Sequence, residues 1–413
     1  MNTKTHALAL LGLTLLLPTA LAAGDYYSGK SVYEPDDVGL LQTAPYTVDV
    51  YGGASALYNS NTTQLFNGTG AWMGVFDYGF DFKSRREGSL GGYYGLGYNG
   101  QAYWYENSRA AAGRDPLEHR VNGFFGLNGG KTRFRLNTDY YRNSGNSVDF
   151  ESINREARSA QSNDFNIDAT VARDLDHGSL EFGAGYYLRD FDAGTLLNDQ
   201  NSYYGDVAWY FAPGSTPKTS YGLGFKFGSD DYNNNANQDF YIPSLRVRHA
   251  ASAKTNLHGS VGWENRSRSS GIGGSADSFV FDFGANWRAS DKTNLDFVVS
   301  RAVRPSYTGP NSDFTSTGFI VKATHDLPGQ FVLGANVGYE NANYFSTLPG
   351  AAIANLRKDN FLRTGVSVSH PLRISNDFGG TVTVFYNYNQ NDSTIAVTEF
   401  DQSIAGVRFG FAY

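Results

Sequence analysis

Almost everywhere after Pro45 the apolar positions recur at every second residue. That is the period of a strand with one apolar face. Phe279, Phe281, Phe283, Ala285 and Trp287 alternate with Ser278, Val280, Asp282, Gly284, Asn286 and Arg288. Phe331, Leu333, Ala335, Val337 and Tyr339 alternate with Val332, Gly334, Asn336, Gly338 and Glu340. Such runs number 18, over 46–58, 71–83, 89–105, 118–127, 132–142, 164–173, 179–190, 202–211, 219–229, 239–249, 255–266, 277–288, 293–303, 315–324, 331–341, 359–370, 380–390 and 399–413. Their lengths match the roughly 9–11 residues with which a tilted strand crosses a bilayer.

The gaps alternate as well. Odd-numbered gaps are the longer ones, the longest being 143–163. Even-numbered gaps are short and include the turn-forming Asn128-Gly129-Gly130-Lys131 and Ala289-Ser290-Asp291-Lys292. The alternation blurs at the end, where 371–379 is no shorter than 391–398. Lys254-Thr255-Asn256-Leu257 recurs as Lys292-Thr293-Asn294-Leu295, each copy leaving an even turn and entering a strand. The pattern predicts an all-β fold: one up-and-down antiparallel transmembrane barrel of 18 strands, with short periplasmic turns and longer extracellular loops.

Composition points the same way. The chain has 28 Tyr, 29 Phe and 48 Gly, which suits strands with one apolar and one wet face. A soluble β-sandwich is the competing architecture, but it requires neither so many runs nor so many aromatics. The formal charge of −7 and the lack of a basic block argue against nucleic acid. The absence of Cys rules out disulfides and thiolate metal sites. At the start, Lys4 and His6 precede an apolar run, Ala7 to Leu17, then Pro18 and Ala20-Leu21-Ala22. This reads as a signal peptide over 1–22, cleaved after Ala22 or Ala23. A short periplasmic segment, 23–45, and the barrel, 46–413, follow.

By alternation Trp72, Trp104, Trp209, Trp263 and Trp287 all fall on the apolar face, as expected of a lipid-facing aromatic girdle. The opposite face carries Lys83, Arg133, Arg135, Asp168, Glu181, Asp206, Lys226, Arg246, Arg248, Glu264, Asp282, Arg288, Asp296, Lys322, Glu340, Arg363 and Arg408. Charges inside a membrane face water or one another, so these residues are expected to line the lumen. Cross-strand pairing that stiffens the wall is the leading role for any single one. A field that selects solutes is the alternative.

The longest gap has a candidate helical turn over 152–161, and could fold inward, cap the barrel or meet lipopolysaccharide. Asp230, Asp231, Asn233, Asn234, Asn235 and Asp239 read as a solvated loop rather than a cation site, since they lack the ordered spacing of a calcium loop. His258-Gly259-Ser260 resembles the His-x-Ser of outer-membrane phospholipases. It faces the lumen just after a short turn, whereas a phospholipase needs the pair toward lipid near the outer leaflet and a third polar group to orient the His. No other catalytic or metal-binding spacing stands out. The sequence therefore predicts no enzyme, no cofactor and no metal.

The last run places Ala405, Val407, Phe409, Phe411 and Tyr413 on one face. It resembles the terminal strand of bacterial outer-membrane proteins, which the barrel assembly machinery recognises. Gly406, Phe409, Phe411 and Tyr413 match that pattern. Ile404 stands where a polar residue is more usual, and Tyr replaces the commoner Phe. The later half also resembles the β-barrel porin-2 family of outer-membrane proteins. The resemblance rests on Asp296-Phe297-Val298-Val299-Ser300-Arg301, on Val337-Gly338-Tyr339-Glu340-Asn341-Ala342-Asn343-Tyr344 and on Arg357-Lys358-Asp359-Asn360-Phe361. It implies an integral outer-membrane barrel and, through the family's association with exopolysaccharide genes, polysaccharide export. Partners would then be outer-membrane lipid and lipopolysaccharide, the assembly machinery and separate periplasmic polysaccharide-export proteins. The residues themselves leave two alternatives open: a general diffusion porin for small solutes, and a structural or adhesive barrel with a plugged lumen.

Overall fold

The structure, a computed structural model, describes residues 46–412 apart from 65–67, 85–89, 108–114, 146–159, 193–196, 214–217, 234–236, 269–275, 307–311, 347–356 and 374–378. The signal peptide, the segment 23–45, Tyr413 and almost all of 152–161 lie outside the described residues.

Eighteen strands follow in chain order. They are β1 (Tyr46–Asn59), β2 (Ala71–Ser84), β3 (Gly91–Tyr105), β4 (Leu117–Asn128), β5 (Thr132–Asn143), β6 (Ser162–Leu175), β7 (Gly178–Phe191), β8 (Gln200–Phe211) and β9 (Thr219–Tyr232). The second half comprises β10 (Gln238–Ser252), β11 (Thr255–Arg268), β12 (Ala276–Ser290), β13 (Thr293–Pro305), β14 (Ser312–Asp326), β15 (Val332–Ser346), β16 (Lys358–Arg373), β17 (Gly379–Ser393) and β18 (Phe400–Ala412). Each strand pairs antiparallel with the next, and β1 pairs with β18 from Tyr51↔Ala412 to Asn59↔Ile404. The sheet is closed, so it has no free edge. In hydrocarbon, only such closure satisfies a strand's backbone.

The strands are longer than their alternation suggests, chiefly at the loop end. Expected spans 219–229 and 239–249 become Thr219–Tyr232 and Gln238–Ser252. The connection 233–237 is thus shorter than the even-numbered 212–218, and the length alternation is weaker than expected. The added residues include polar ones, such as Asp230 and Asp231. Backbone pairing continues past the apolar belt, where hydropathy no longer marks it. The repeated turn keeps one geometry in both copies. The Ser252 hydroxyl donates to Thr255 Oγ1 at 3.1 Å, and Ser290 donates to Thr293 Oγ1 at 2.9 Å.

One face of the cylinder is apolar and exposed. Phe76, Leu96, Phe182, Leu223, Phe225, Leu245 and Val384 belong to it. So do all five Trp, 47–60 % exposed. Trp72, Trp104 and Trp263 sit toward the loop ends of their strands, Trp209 and Trp287 toward the turn ends. Two aromatic levels result, as at the two interfaces of a membrane. The chain is an integral β-barrel of the bacterial outer membrane.

Candidate functional site

The inward face is set by the same alternation, one residue out of phase with the Trp positions. All seventeen charged residues assigned to the wet face lie on it. Strand tilt brings non-neighbouring strands to equal height, so long side chains meet across intervening strands. Arg246 on β10 reaches Asp206 on β8 by two bonds of 2.9 and 2.5 Å. Gly222 and Gly224 on β9 lie beneath its path; a Cβ on Gly224 would fall on the Arg246 guanidinium. Arg248, also on β10, reaches Glu181 on β7 at 2.7 and 2.8 Å, its guanidinium lying 3.7 Å from the Tyr210 ring centre.

A second set stands nearer the loops. Arg266 on β11 donates to Asp230 on β9 and to Glu264 on its own strand, both at 2.6 Å. Ser202 and Gln200 on β8 also donate to Asp230. Asp230 is therefore part of the wall, a correction to its placement in a solvated loop. Asp239 likewise lies on a strand, β10. Lys226 places its ammonium 4.6 Å over the Tyr204 ring and 5.9 Å over Phe240.

The remaining assigned residues spread around the wall. Arg408 pairs with Asp77 at 3.1 Å, closing charge across the β18–β1–β2 seam. Arg133 pairs with Asp174 through two bonds. Arg135 and Asp168 join through the Asn137 amide, which accepts from one at 2.7 Å and donates to the other at 2.8 Å. Glu340 accepts from Ser316 at 2.8 Å and, with Arg363, lines a shallow cavity between β13 and β16. Asp296 accepts from Asn286 and stands opposite Lys322. Lys83 and Arg288 lie near the turn end. His258 Nε2 stands 3.6 Å from Asp282 Oδ1. A carboxylate thus stands beside the His. Asp282 is also the register partner of Ser260. The group is inward, and no bond joins Ser260 to His258 among the described residues.

Alternation missed one feature of this face. Leu57, Met73, Val75, Tyr103, Phe385 and Ile404 point inward and form a buried apolar cluster on β1, β2, β3, β17 and β18. Consecutive apolar pairs, such as Leu57-Tyr58, Trp72-Met73 and Val75-Phe76, were the available signal. A buried amide chain adjoins it. Gln402 donates to Asn59 Oδ1 at 3.0 Å and accepts from Asn389 at 3.0 Å. The interior therefore carries its densest ion pairing over β5–β11, and around the closing seam an apolar and amide patch beside the Arg408–Asp77 pair.

No family model and no curated protein matches the chain. Solved structures do resemble it in outline. Pseudomonas aeruginosa OpdK, solved with vanillate, is 12 % identical, covering 89 % of this chain and 99 % of that one with a TM-score of 0.43. OccK2 (OpdF) of the same organism, in complex with glucuronate, is 9 % identical, over 89 % and 98 %, with a TM-score of 0.45. A mutant of the ferric enterobactin receptor PfeA, again from P. aeruginosa, is 8 % identical, over 88 % and 80 %, with a TM-score of 0.42.

Proposed function

We propose that this barrel is an outer-membrane channel for small polar solutes. One observation carries the reading: several of the inward charged side chains, chiefly on β8 to β11, are packed as in a protein interior. Arg266 is 7 % exposed, Asp206 3 % and Glu264 2 %. Side chains on the wall of a wide, open tube would be wet. Their burial supports a passage narrower than the backbone cylinder. Paired charges of both signs give such a passage a polar wall without strong net charge. The P. aeruginosa proteins crystallised with vanillate and glucuronate held ligands of this small polar size. Polysaccharide passage rests on the porin-2 resemblance, and a wall thickened by side chains suits an extended polymer less well.

The test is single-channel conductance of the refolded protein in a planar bilayer, with and without polysaccharide. A steady conductance indifferent to polymer is expected. Block by polymer would favour export, and silence from a correctly folded barrel would leave a plugged one. Delivery to the membrane would use the assembly machinery, with Gly406, Phe409, Phe411 and Tyr413 as the recognised strand end. Phe409 and Phe411 face outward there, and a Cβ on Gly52 of β1 would meet the Phe411 ring at 2.6 Å.

A further inference from the structure

The barrel wall is not zipped evenly. β12 pairs with β11 up to Ala276↔Arg266, and β13 pairs with β14 up to Pro305↔Asp313. Between β12 and β13 the ladder starts only at Phe281↔Arg301. Residues 276–280 and 302–305 are strand on both sides of a seam that no pairing crosses. Among the described residues this is the longest stretch in which two neighbouring strands face each other unpaired.

The seam is furnished for the gap. Pro305, the last residue of β13, has no N–H to leave unmet, and Pro is tolerated at sheet edges for that reason. Arg301, on the membrane side, donates from Nε to the Phe279 carbonyl at 3.0 Å and from Nη1 to Thr317 Oγ1 at 2.9 Å. A side chain thus does there what a strand N–H does elsewhere. Arg304 projects to the inner side. Its Nε is buried without a hydrogen-bond partner, and among the described residues no ion pair joins Arg304 to a carboxylate. The flanks are apolar: Val280 and Val303 are buried, while Phe279 is 46 % exposed on the outside. Phe279 is the register partner of Trp263, so the gap lies at the loop-side aromatic level. Behind it, Asp313 accepts from Arg268 at 2.7 Å and from Gln238 at 3.0 Å, bracing β10 and β11 to β14 from within.

Unpaired backbone at membrane depth is tolerated where it lines a cavity. We infer that the gap between β12 and β13 is a lateral portal for an amphipathic anion, its head at Arg304 and its tail between Val280, Val303 and Phe279 toward the outer leaflet. The chemistry selects this occupant. An inorganic anion has no use for the apolar flanks, and a neutral solute has none for the unpaired guanidinium. A lipid phosphate would sit on the membrane side, where Arg301 already spends its Nε and Nη1 on the protein.

The native chain has no Cys, so a disulfide can lock the gap cleanly. Val280→Cys with Ala302→Cys places thiols at the first position beyond the last ladder pair. Refolded protein in vesicles is given a fluorescent long-chain alkyl sulfonate, and transfer to an acceptor protein trapped inside is followed. A small sugar serves as control by vesicle swelling. Wild type is expected to exceed protein-free vesicles about tenfold, the oxidised lock to lose that gain, and reductant to restore it, while sugar flux stays constant; Arg304→Gln loses about tenfold, the equivalent of ~1.4 kcal/mol, and Arg304→Lys retains most. The proposal is overturned if wild type transfers no faster than bare vesicles, or if the oxidised lock or Arg304→Gln leaves transfer unchanged. Sugar flux reports the small-solute channel separately, so the two readings fail independently.

Discussion

Arg248 of β10 and Glu181 of β7 meet over two intervening strands, with Nη1–Oε1 at 2.7 Å and Nη2–Oε2 at 2.8 Å. They are 67 residues apart, and no local rule links them. The fork geometry of guanidinium on carboxylate gives such a pair direction as well as energy. It fixes the slant of one strand against another while leaving the lumen locally neutral.

That neutrality is testable. Glu181→Gln leaves Arg248 unmatched and is expected to move the reversal potential in a salt gradient toward anion selectivity. Arg248→Gln moves it toward cations. Each costs stability, but less than the roughly 3–5 kcal/mol of a broken pair in a dry interior, because the wall borders water. Equal shifts of one sign from both variants would mean that the pair does not face the conducting path.

Gly224→Ala tests the floor beneath Arg246. The new methyl displaces the guanidinium from Asp206, which then stands exposed to permeating ions. The barrel is expected to fold, as judged by heat-dependent gel mobility, because the obstructed group is the flexible end of a long side chain. Cation selectivity rises. An unchanged reversal potential would show that Arg246 re-forms the pair by another rotamer.

On β12 the two aromatic levels fall at Phe279, beside Trp263, and at Trp287. The strand between them runs roughly 26 Å, and Phe283 is its midpoint. Phe283→Arg is expected to cost about 2–4 kcal/mol in a denaturant titration in lipid, and Trp287→Arg about 0–1. Similar costs at both positions would remove the depth assignment.

Asp192 follows β7 at the loop end and accepts two bonds from Arg142, at 2.5 and 2.7 Å. That hydrogen bonding holds the Asp192 carboxyl below its usual range. A depressed pKa contributes stability above the unfolded carboxylate value of about 4 and loses it as pH falls through the folded value. Thermal unfolding of wild type and Asp192→Asn is expected to differ near neutral pH and to converge in acid, once pH falls below the depressed value of the folded carboxyl. A gap that persists in acid would place its origin outside this carboxylate.

Period-2 alternation is a property of the chain, and it sufficed for much of the protein. Phe279 to Trp287 could be assigned to one face because strand side chains alternate whatever lies next to them. The number of strands, the outward placement of every Trp and the inward side of Arg246, Glu181 and Arg408 followed from that alone. What packs against a side chain is another matter, set by closure, tilt and stagger. Only these bring Arg266 to Asp230, turn Leu57 and Ile404 into an apolar patch facing inward, and end the β12–β13 ladder at Phe281↔Arg301. Hydropathy measures each residue against solvent, whereas these relations depend on strands distant in sequence arriving at the same height.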